Sequence, residues 1–378
     1  MRRGLRAGVN AIFLEPGMGG LGTYVMELVP ALLRQAPQLQ LSILCNHRGR
    51  ELLAAQPWAS AVRLDVPPVI TNRGLRAAGE LTLLGALASR RFDVLHSVAL
   101  TAPLLTRAAN IVVLADTTWL TVPDLGKGQA ATVRLWQAVV PHVARRADRV
   151  IAISEASARD VREHLRVDPA RIDVIPLGYG TPPRRDPTPE AELRGRLGLG
   201  AGPIVLNVAM KKRHKNQRRL VQALPQIRER VPGAQLVLAG ASTPYEAELR
   251  AEADALGLDG AVALPGYVDA ADLEGLYAAA AAFVFPSLNE GFGLPVLEAL
   301  ASGAPVVTTS GTVMEEVAAG AALLARPGDA GSLAGALEAA LDRGPGAGGR
   351  RRLGLEVAAR HTWEASAAAH AEVYRSVR

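Results

Sequence analysis

Short apolar runs alternate with longer stretches of helical periodicity along almost the whole chain. Residues 7–14, 39–45, 62–66, 94–96, 111–115 and 150–153 are apolar segments rich in Val, Ile and Leu. That is the pattern of strands covered on both faces. Between them, 23–34, 75–89, 131–145 and 155–165 read as helices. After Ile175-Pro176 the pattern breaks into Thr181-Pro182-Pro183-Arg184-Arg185-Asp186-Pro187, a surface linker. It then restarts with strands at 204–208, 235–239, 261–264, 282–285, 305–309 and 322–324. Helices are expected at 217–230, 245–256, 270–281, 295–301, 313–319 and 332–341, followed by a helical tail.

Strand–helix alternation predicts an α/β protein with two doubly wound, Rossmann-like domains facing across a cleft. The expected boundaries are 1–176 for the first domain, 177–200 for the linker, 201–352 for the second domain and 353–378 for the tail. Ligands of such sheets sit at the carboxyl ends of the strands, where helix N-termini offer backbone N–H groups. The cleft is therefore where chemistry is expected.

Composition narrows the classes. With 378 residues, 49% hydrophobic and 21% charged, the chain is too apolar for disorder and long enough for two cores. No apolar run approaches the ~20 residues of a membrane-spanning helix. The opening Met1-Arg2-Arg3-Gly4-Leu5-Arg6 imitates a signal peptide, but Asn10 interrupts its apolar stretch, and it reads as a buried strand. A lone cysteine, Cys45, rules out a disulfide framework and a zinc cluster and fits a reducing cytoplasm. The net charge of +6 is concentrated in residues 1–176, with 21 Lys and Arg against 14 Asp and Glu; the remainder holds 21 against 22. This asymmetry reads either as the habit of an arginine-rich composition or as a face for an anionic partner, such as a membrane surface or a phosphorylated acceptor. With 4% aromatic residues and no recognition module, nucleic acid is not an expected partner.

Three segments carry candidate chemistry. Gly17-Met18-Gly19-Gly20-Leu21-Gly22 fits the dinucleotide pattern Gly-x-Gly-x-x-Gly, yet the second strand ends Leu44-Cys45-Asn46 with no carboxylate for a ribose. Its glycines still let backbone amides approach an anion. Pro286-Ser287-Leu288-Asn289-Glu290-Gly291-Phe292-Gly293-Leu294-Pro295-Val296-Leu297-Glu298 places two glutamates across a Gly-Phe-Gly turn into a helix whose first turn holds a proline. The turn favours a phosphate or sugar at the helix start; Glu290 can reach a sugar hydroxyl and Glu298 can accept from a ribose. In His214-Lys215-Asn216 a lysine stands at a helix N-terminus, a position that is unfavourable unless an anion sits there.

Together these segments resemble a retaining glycosyltransferase of family 4, the group 1 glycosyltransferases of GT-B fold, over nearly the whole chain. Gly19–Tyr24 resembles the first-domain loop beside donor phosphates and acceptor. Arg146–Glu155, Ile175–Gly178 and Gly266-Tyr267-Val268 resemble the end of the first domain, the linker entry and the donor-side strand end. The resemblance implies Glu290, Lys215 and Asp116 as catalytic residues. It implies a donor site of Gly19, Gly20, Lys211, Lys212, Lys215, Gly266, Tyr267, Glu290, Gly291, Phe292, Gly293, Leu294 and Glu298. Gly22, Tyr24, His96 and Asp116 are the acceptor-side candidates. It also implies a tail that crosses back to the first domain, with Trp363 and Tyr374 packing there.

Two positions depart from the family pattern. Ala115-Asp116 stands where members often carry His-Asp, and Ala209 where they often carry an arginine; Lys211 or Lys212 is a candidate replacement for that charge. The implied activity is transfer of a sugar from a nucleotide-sugar to a hydroxyl of a glycan, lipid-linked or small-molecule acceptor, with retention, as in polysaccharide biosynthesis. The branch most resembled points to GDP-mannose, with UDP- and dTDP-sugars open. No Asp-x-Asp motif occurs, so neither metal nor other cofactor is expected. A cytoplasmic enzyme is expected, with peripheral contact to the inner membrane face through the basic first domain. An NAD-dependent oxidoreductase, a nucleotide-sugar epimerase of the same fold, and a non-catalytic nucleotide- or carbohydrate-binding homologue are the alternatives.

Overall fold

The computed structural model describes residues 4–67, 79–115, 117, 119, 130–179, 186–342 and 344–377. The chain divides into two units, one of residues up to 179 together with 361–377, the other of residues 186–360.

In the first unit the apolar runs form β1 (Arg6–Asn10), β2 (Gln40–Leu44), β3 (Arg63–Asp65), β4 (Val94–Ser97), β5 (Ala109–Leu114), β6 (Arg149–Ala152) and β7 (Ile172–Val174). They make one parallel sheet in the order β3-β2-β1-β4-β5-β6-β7. Val9 pairs with Ile43 on one side and His96 on the other, and β4 is buried throughout. Covering both faces explains why these strands are uniformly apolar rather than alternating. The first strand stops at Asn10, short of the expected 14, because Asn10 Oδ1 accepts from the Ile12 N–H at 3.4 Å and turns the chain. Helix α1 (Gly20–Gln35) follows. Asn46 then caps a helix that periodicity did not foresee, α2 (His47–Ala54), with its Oδ1 accepting from the Gly49 N–H. Helices α3 (Leu83–Arg91), α4 (Ala130–Arg146) and α5 (Glu155–Leu165) complete the alternation; the expected start of the third-strand helix at 75 lies outside the described residues.

The second unit opens with α6 (Glu190–Leu197). Its strands are β8 (Ile204–Val208), β9 (Gln235–Ala239), β10 (Val262–Gly266), β11 (Ala280–Phe285), β12 (Val306–Thr309) and β13 (Ala322–Ala325), all parallel in the order β10-β9-β8-β11-β12-β13. The intervening helices are α7 (Gln217–Arg230), α8 (Tyr245–Ala255), α9 (Ala270–Ala279), α10 (Leu294–Ala301), α11 (Val313–Ala318) and α12 (Ala330–Leu341). Leu220, Leu224 and Ile227 of α7 and Leu333 and Leu337 of α12 close one face over Val205, Leu236 and Val284. In both sheets the strand order reverses beside the first strand, between β1 and β4 and between β8 and β11. These are the switch points at which loops diverge and leave room for a ligand.

The segment expected as one tail, 353–378, is split between the two units. Helix α13 (Ala347–Arg360) packs on α10 in the second unit, where a Cβ on Gly354 would lie 2.7 Å from Leu300. Helix α14 (Trp363–Ser376) belongs to the first unit and lies along α1, with Arg34 and Glu364 paired at 2.6 Å. Gly178 makes this return close: any Cβ there would sit 2.3 Å from the Trp363 nitrogen.

Candidate functional site

The loops that follow β8 and β11 are fastened to each other. The Leu288 N–H donates to the His214 carbonyl at 2.8 Å, and Asn216 Nδ2 donates to the Pro286 carbonyl at 3.2 Å. Asn216 adopts the left-handed region at φ 59°, which asparagine tolerates better than most residues, and this turns the chain into α7. Beneath the loops, buried Gln217 donates to Asn207 Oδ1 at 3.1 Å, and Asn207 Nδ2 donates to the Val284 carbonyl of the neighbouring strand at 2.8 Å. Adjacent strands and a shared polar floor thus bring two distant segments to one place.

There Lys215 Nζ meets Glu290 Oε1 at 2.5 Å, with both side chains half-buried. Ser287, fully buried, donates to the same carboxylate oxygen at 2.6 Å. The lysine ammonium also lies 5.6 Å from the centre of the Phe285 ring, within cation–π range.

Past Glu290 the chain turns through Gly291-Phe292-Gly293 into α10. Gly293 is in the left-handed region at φ 105° and offers the helix no side-chain cap; a Cβ there would lie 3.2 Å from Met314. Gly291 and the Phe292 side chain are buried, and Leu294 is half-buried at the first helical position. No acidic residue stands in the first turn of α10, so no side chain of that turn neutralises its positive end. Glu298, further along α10, accepts from Tyr277 Oη of α9 at 2.6 Å. Burial pushes its carboxyl above the ordinary range, and the Tyr277 hydroxyl opposes the shift.

The two lysines offered as substitutes for the missing arginine separate. Lys212 is exposed, whereas Lys211 is fully buried and its ammonium donates to the Gly240 carbonyl. Burial lowers Lys211 to about 8, against an opposing pull from Glu246. Lys211 is thus turned into the unit, against Gly240 just past the end of β9. Gly266 ends β10 with φ 74°, and Tyr267 beyond it is 79% exposed.

In the first unit, Gly19 and Gly20 stand exposed where β1 leads into α1, and a Cβ on either would meet nothing within 4 Å. Asn46 Nδ2 secures this loop through the carbonyls of Ile12 and Leu14, each at 2.8 Å. Gly22 is buried, and a Cβ there would lie 3.3 Å from Met18 Cβ. Asp116 lies outside the described residues.

Tyr24 and His96 are buried, and their polar atoms take internal partners instead of facing solvent. His370 Nδ1 is 2.7 Å from the Ser366 carbonyl, which can only accept, so that nitrogen carries the proton. With the ring neutral, His370 Nε2 accepts from Tyr24 Oη at 2.6 Å. Tyr24 Oη then accepts from His96 Nε2 at 3.2 Å, and His96 Nδ1 accepts from Tyr374 Oη at 2.5 Å. One proton arrangement satisfies all four bonds. Burial drives both imidazoles toward the neutral form, His96 well below its usual value and His370 to about 4. These residues join α1 and β4 to α14. Sequence reasoning missed His370, which lies 346 positions from Tyr24, and Tyr277 and Ser287 as partners of the two glutamates. For Ser287 a local signal existed, the Ser-x-x-Glu spacing that lets a hydroxyl and a carboxylate meet.

Residues 18–181 match the family model for Glycosyltransferase Family 4, and residues 190–354 that for Glycosyl transferases group 1. The chain belongs to this family of group 1, family 4 glycosyltransferases. It is 38% identical over 157 residues to the GDP-mannose-dependent alpha-(1-6)-phosphatidylinositol monomannoside mannosyltransferase of Mycobacterium tuberculosis, covering 39% of this chain and 40% of that protein. It is 32% identical over 258 residues to the MMP alpha-(1->4)-mannosyltransferase of Mycolicibacterium hassiacum, covering 64% of this chain and 58% of that protein. The matches therefore span about half the length of these curated relatives. Among solved structures, the sucrose-phosphate synthase of Thermosynechococcus elongatus superposes with a TM-score of 0.75 at 22% identity, covering 99% of each chain. Anabaena HepE in complex with UDP and glucose gives 0.73 at 20% identity, covering 98% of this chain and 100% of that one. The fold is that of the GT-B glycosyltransferases.

Proposed function

We propose that this protein transfers a sugar from a nucleotide-sugar donor to an acceptor hydroxyl with retention of configuration. The observation that carries the reading is the meeting of Lys215 and Glu290, beside the uncapped start of α10, at the switch point of the second sheet. A nucleoside diphosphate needs cationic and N–H donors, and a sugar needs an acceptor for its hydroxyls; this corner offers both within one loop pair. In the transfer, the bond from the anomeric carbon to the leaving phosphate oxygen breaks and a bond to the acceptor oxygen forms. The acceptor proton passes to the leaving phosphate. Lys215 and the α10 N-terminus meet the charge that grows on the diphosphate, a type of stabilisation worth several kcal/mol in a water-poor site. Glu290 holds the sugar, and Glu298 receives the ribose. The diphosphate charge is met by protein groups, so this reading calls for no metal.

GDP-mannose is the donor we favour, supported by the GDP-mannose dependence in the name of the Mycobacterium tuberculosis relative. The acceptor is a hydroxyl of a glycan, a lipid-linked glycan or a small molecule. Among the described residues no helix is long and apolar enough to cross a membrane. We place the reaction in the cytoplasm, with the basic first half touching an anionic membrane face.

Calorimetry and thermal shift across GDP-, UDP- and dTDP-sugars test the reading. A donor at 100 times its Kd should stabilise the protein by about 2.7 kcal/mol. Lys215→Ala should weaken a nucleoside diphosphate by about 10- to 100-fold, the loss of a charge-assisted contact, and leave the free nucleoside unchanged. Equal losses for both ligands, or no stabilisation by any nucleotide-sugar, would overturn it.

A further inference from the structure

Ser287 is a buried hydroxyl beside the Lys215–Glu290 pair. It has one proton and three oxygens within reach: the His214 carbonyl at 3.1 Å, the Asn289 carbonyl at 3.2 Å and Glu290 Oε1 at 2.6 Å. The carbonyls can only accept, so one of the three receives the hydrogen, and the shortest, charge-bearing contact takes it. Glu290 Oε1 thus holds two donors of different character. Lys215 reaches it on a long, flexible stem, whereas Ser287 is itself buried, two residues past the end of β11, on a short side chain. A diphosphate arriving at the site competes for the lysine. It cannot compete for the serine, which is buried and uncharged.

We propose that Ser287 is a positioning residue for sugar transfer, holding the Glu290 carboxylate in place when Lys215 turns from it to the donor diphosphate. The inference rests on the function proposed above. It assigns Ser287 no contact with the substrate; Ser287 acts through Glu290, and it matters more with donor bound than without.

The variants are Ser287→Ala and Ser287→Cys, alone and with Glu290→Ala. The alanine change should not unfold the loop, because the His214 carbonyl keeps the Leu288 N–H. Ser287→Ala should lower kcat about tenfold, the scale of a lost hydrogen bond to a charged group. Donor KM and the Kd for GDP should stay within about twofold, since Lys215 is untouched. Ser287→Cys, of similar shape with a weaker donor, should fall between. In the Glu290→Ala background, Ser287→Ala should change kcat less than about twofold, because residues acting through one another are not additive. A full tenfold effect persisting in that background, an unchanged kcat, or a loss borne by KM would overturn the proposal. A wild-type protein that neither binds GDP nor transfers sugar would instead overturn the functional reading and this proposal with it. A protein that transfers normally but ignores Ser287→Ala overturns this proposal alone.

Discussion

The ammonium of Lys215 and the carboxylate of Glu290, 75 positions apart in the chain, lie 2.5 Å from each other. The free site therefore arrives partly neutralised. An anionic ligand at this corner would have to draw the lysine from a partner already in place, a carboxylate oxygen to which Ser287 also donates.

Competition of this kind sets the sign of one substitution. Glu290→Gln removes the charge that competes with a diphosphate for Lys215, so GDP should bind about threefold to tenfold more tightly, on the order of 1 kcal/mol. Sugar transfer should slow in the same variant. Calorimetry with GDP and a turnover assay read the two effects separately, and weaker GDP binding would contradict the pairing as the resting state.

Burial of Glu298 ties stability to pH, and the Tyr277 hydroxyl opposes the effect. Its carboxyl is held above the ordinary 4.5, so the folded protein keeps this proton more readily than the unfolded chain does. Its contribution is greatest below about 4.5 and is lost as pH rises through the folded value. Tyr277→Phe removes the hydroxyl that supports the ionised form. Urea unfolding should show a loss of about 1–3 kcal/mol at pH 8 and a smaller loss at pH 4.5. Equal losses at both would show that the hydroxyl does not serve the carboxylate.

The buried histidines work in the opposite sense. His370 is held down at about 4 and His96 lies well below its usual value, so the unfolded chain binds protons that the folded one refuses. Stability is full above the ordinary 6.5 and falls as pH drops toward 4, by on the order of 3 kcal/mol from His370 alone. His370→Leu should cost about 2–3 kcal/mol at pH 7.5, where Tyr24 loses its acceptor. The same variant should lose less than wild type on acidification to pH 4.5. Denaturant titrations at the two pH values check this, and parallel slopes would refute it.

Two glycines should respond differently to the same change. At Gly20 an added Cβ meets nothing within 4 Å and the residue is helical, so Gly20→Ala should leave the melting temperature unchanged or raise stability by up to about 1 kcal/mol. Gly293→Ala forces a side chain into φ 105° against Met314 and should cost about 1–3 kcal/mol. Thermal denaturation reads both. Donor KM should rise in the Gly20 variant if that open space is where a ligand approaches.

Much of the fold was legible because strands buried on both faces announce themselves as unbroken Val, Ile and Leu runs. Boundaries slipped where polar side chains rewrote them, as when Asn10 ended β1 early and Asn46 started α2. In the candidate site, the glycine turn and the two glutamates were readable, since turn chemistry and helix starts depend on a few neighbouring residues. The fate of the lysines was not. Lys211 and Lys212 are adjacent and chemically alike, yet one is buried against Gly240 and the other is exposed.

The sequence alone determined where strands, helices and tight turns form, because those depend on contacts within one or two turns of chain. The tertiary structure decided the pairings. Lys215 reaches Glu290 because β8 lies beside β11, and Tyr24 and His96 became internal residues because α14 returns to α1. Strand order and burial set such partners, and neither is encoded in the spacing of the residues that meet.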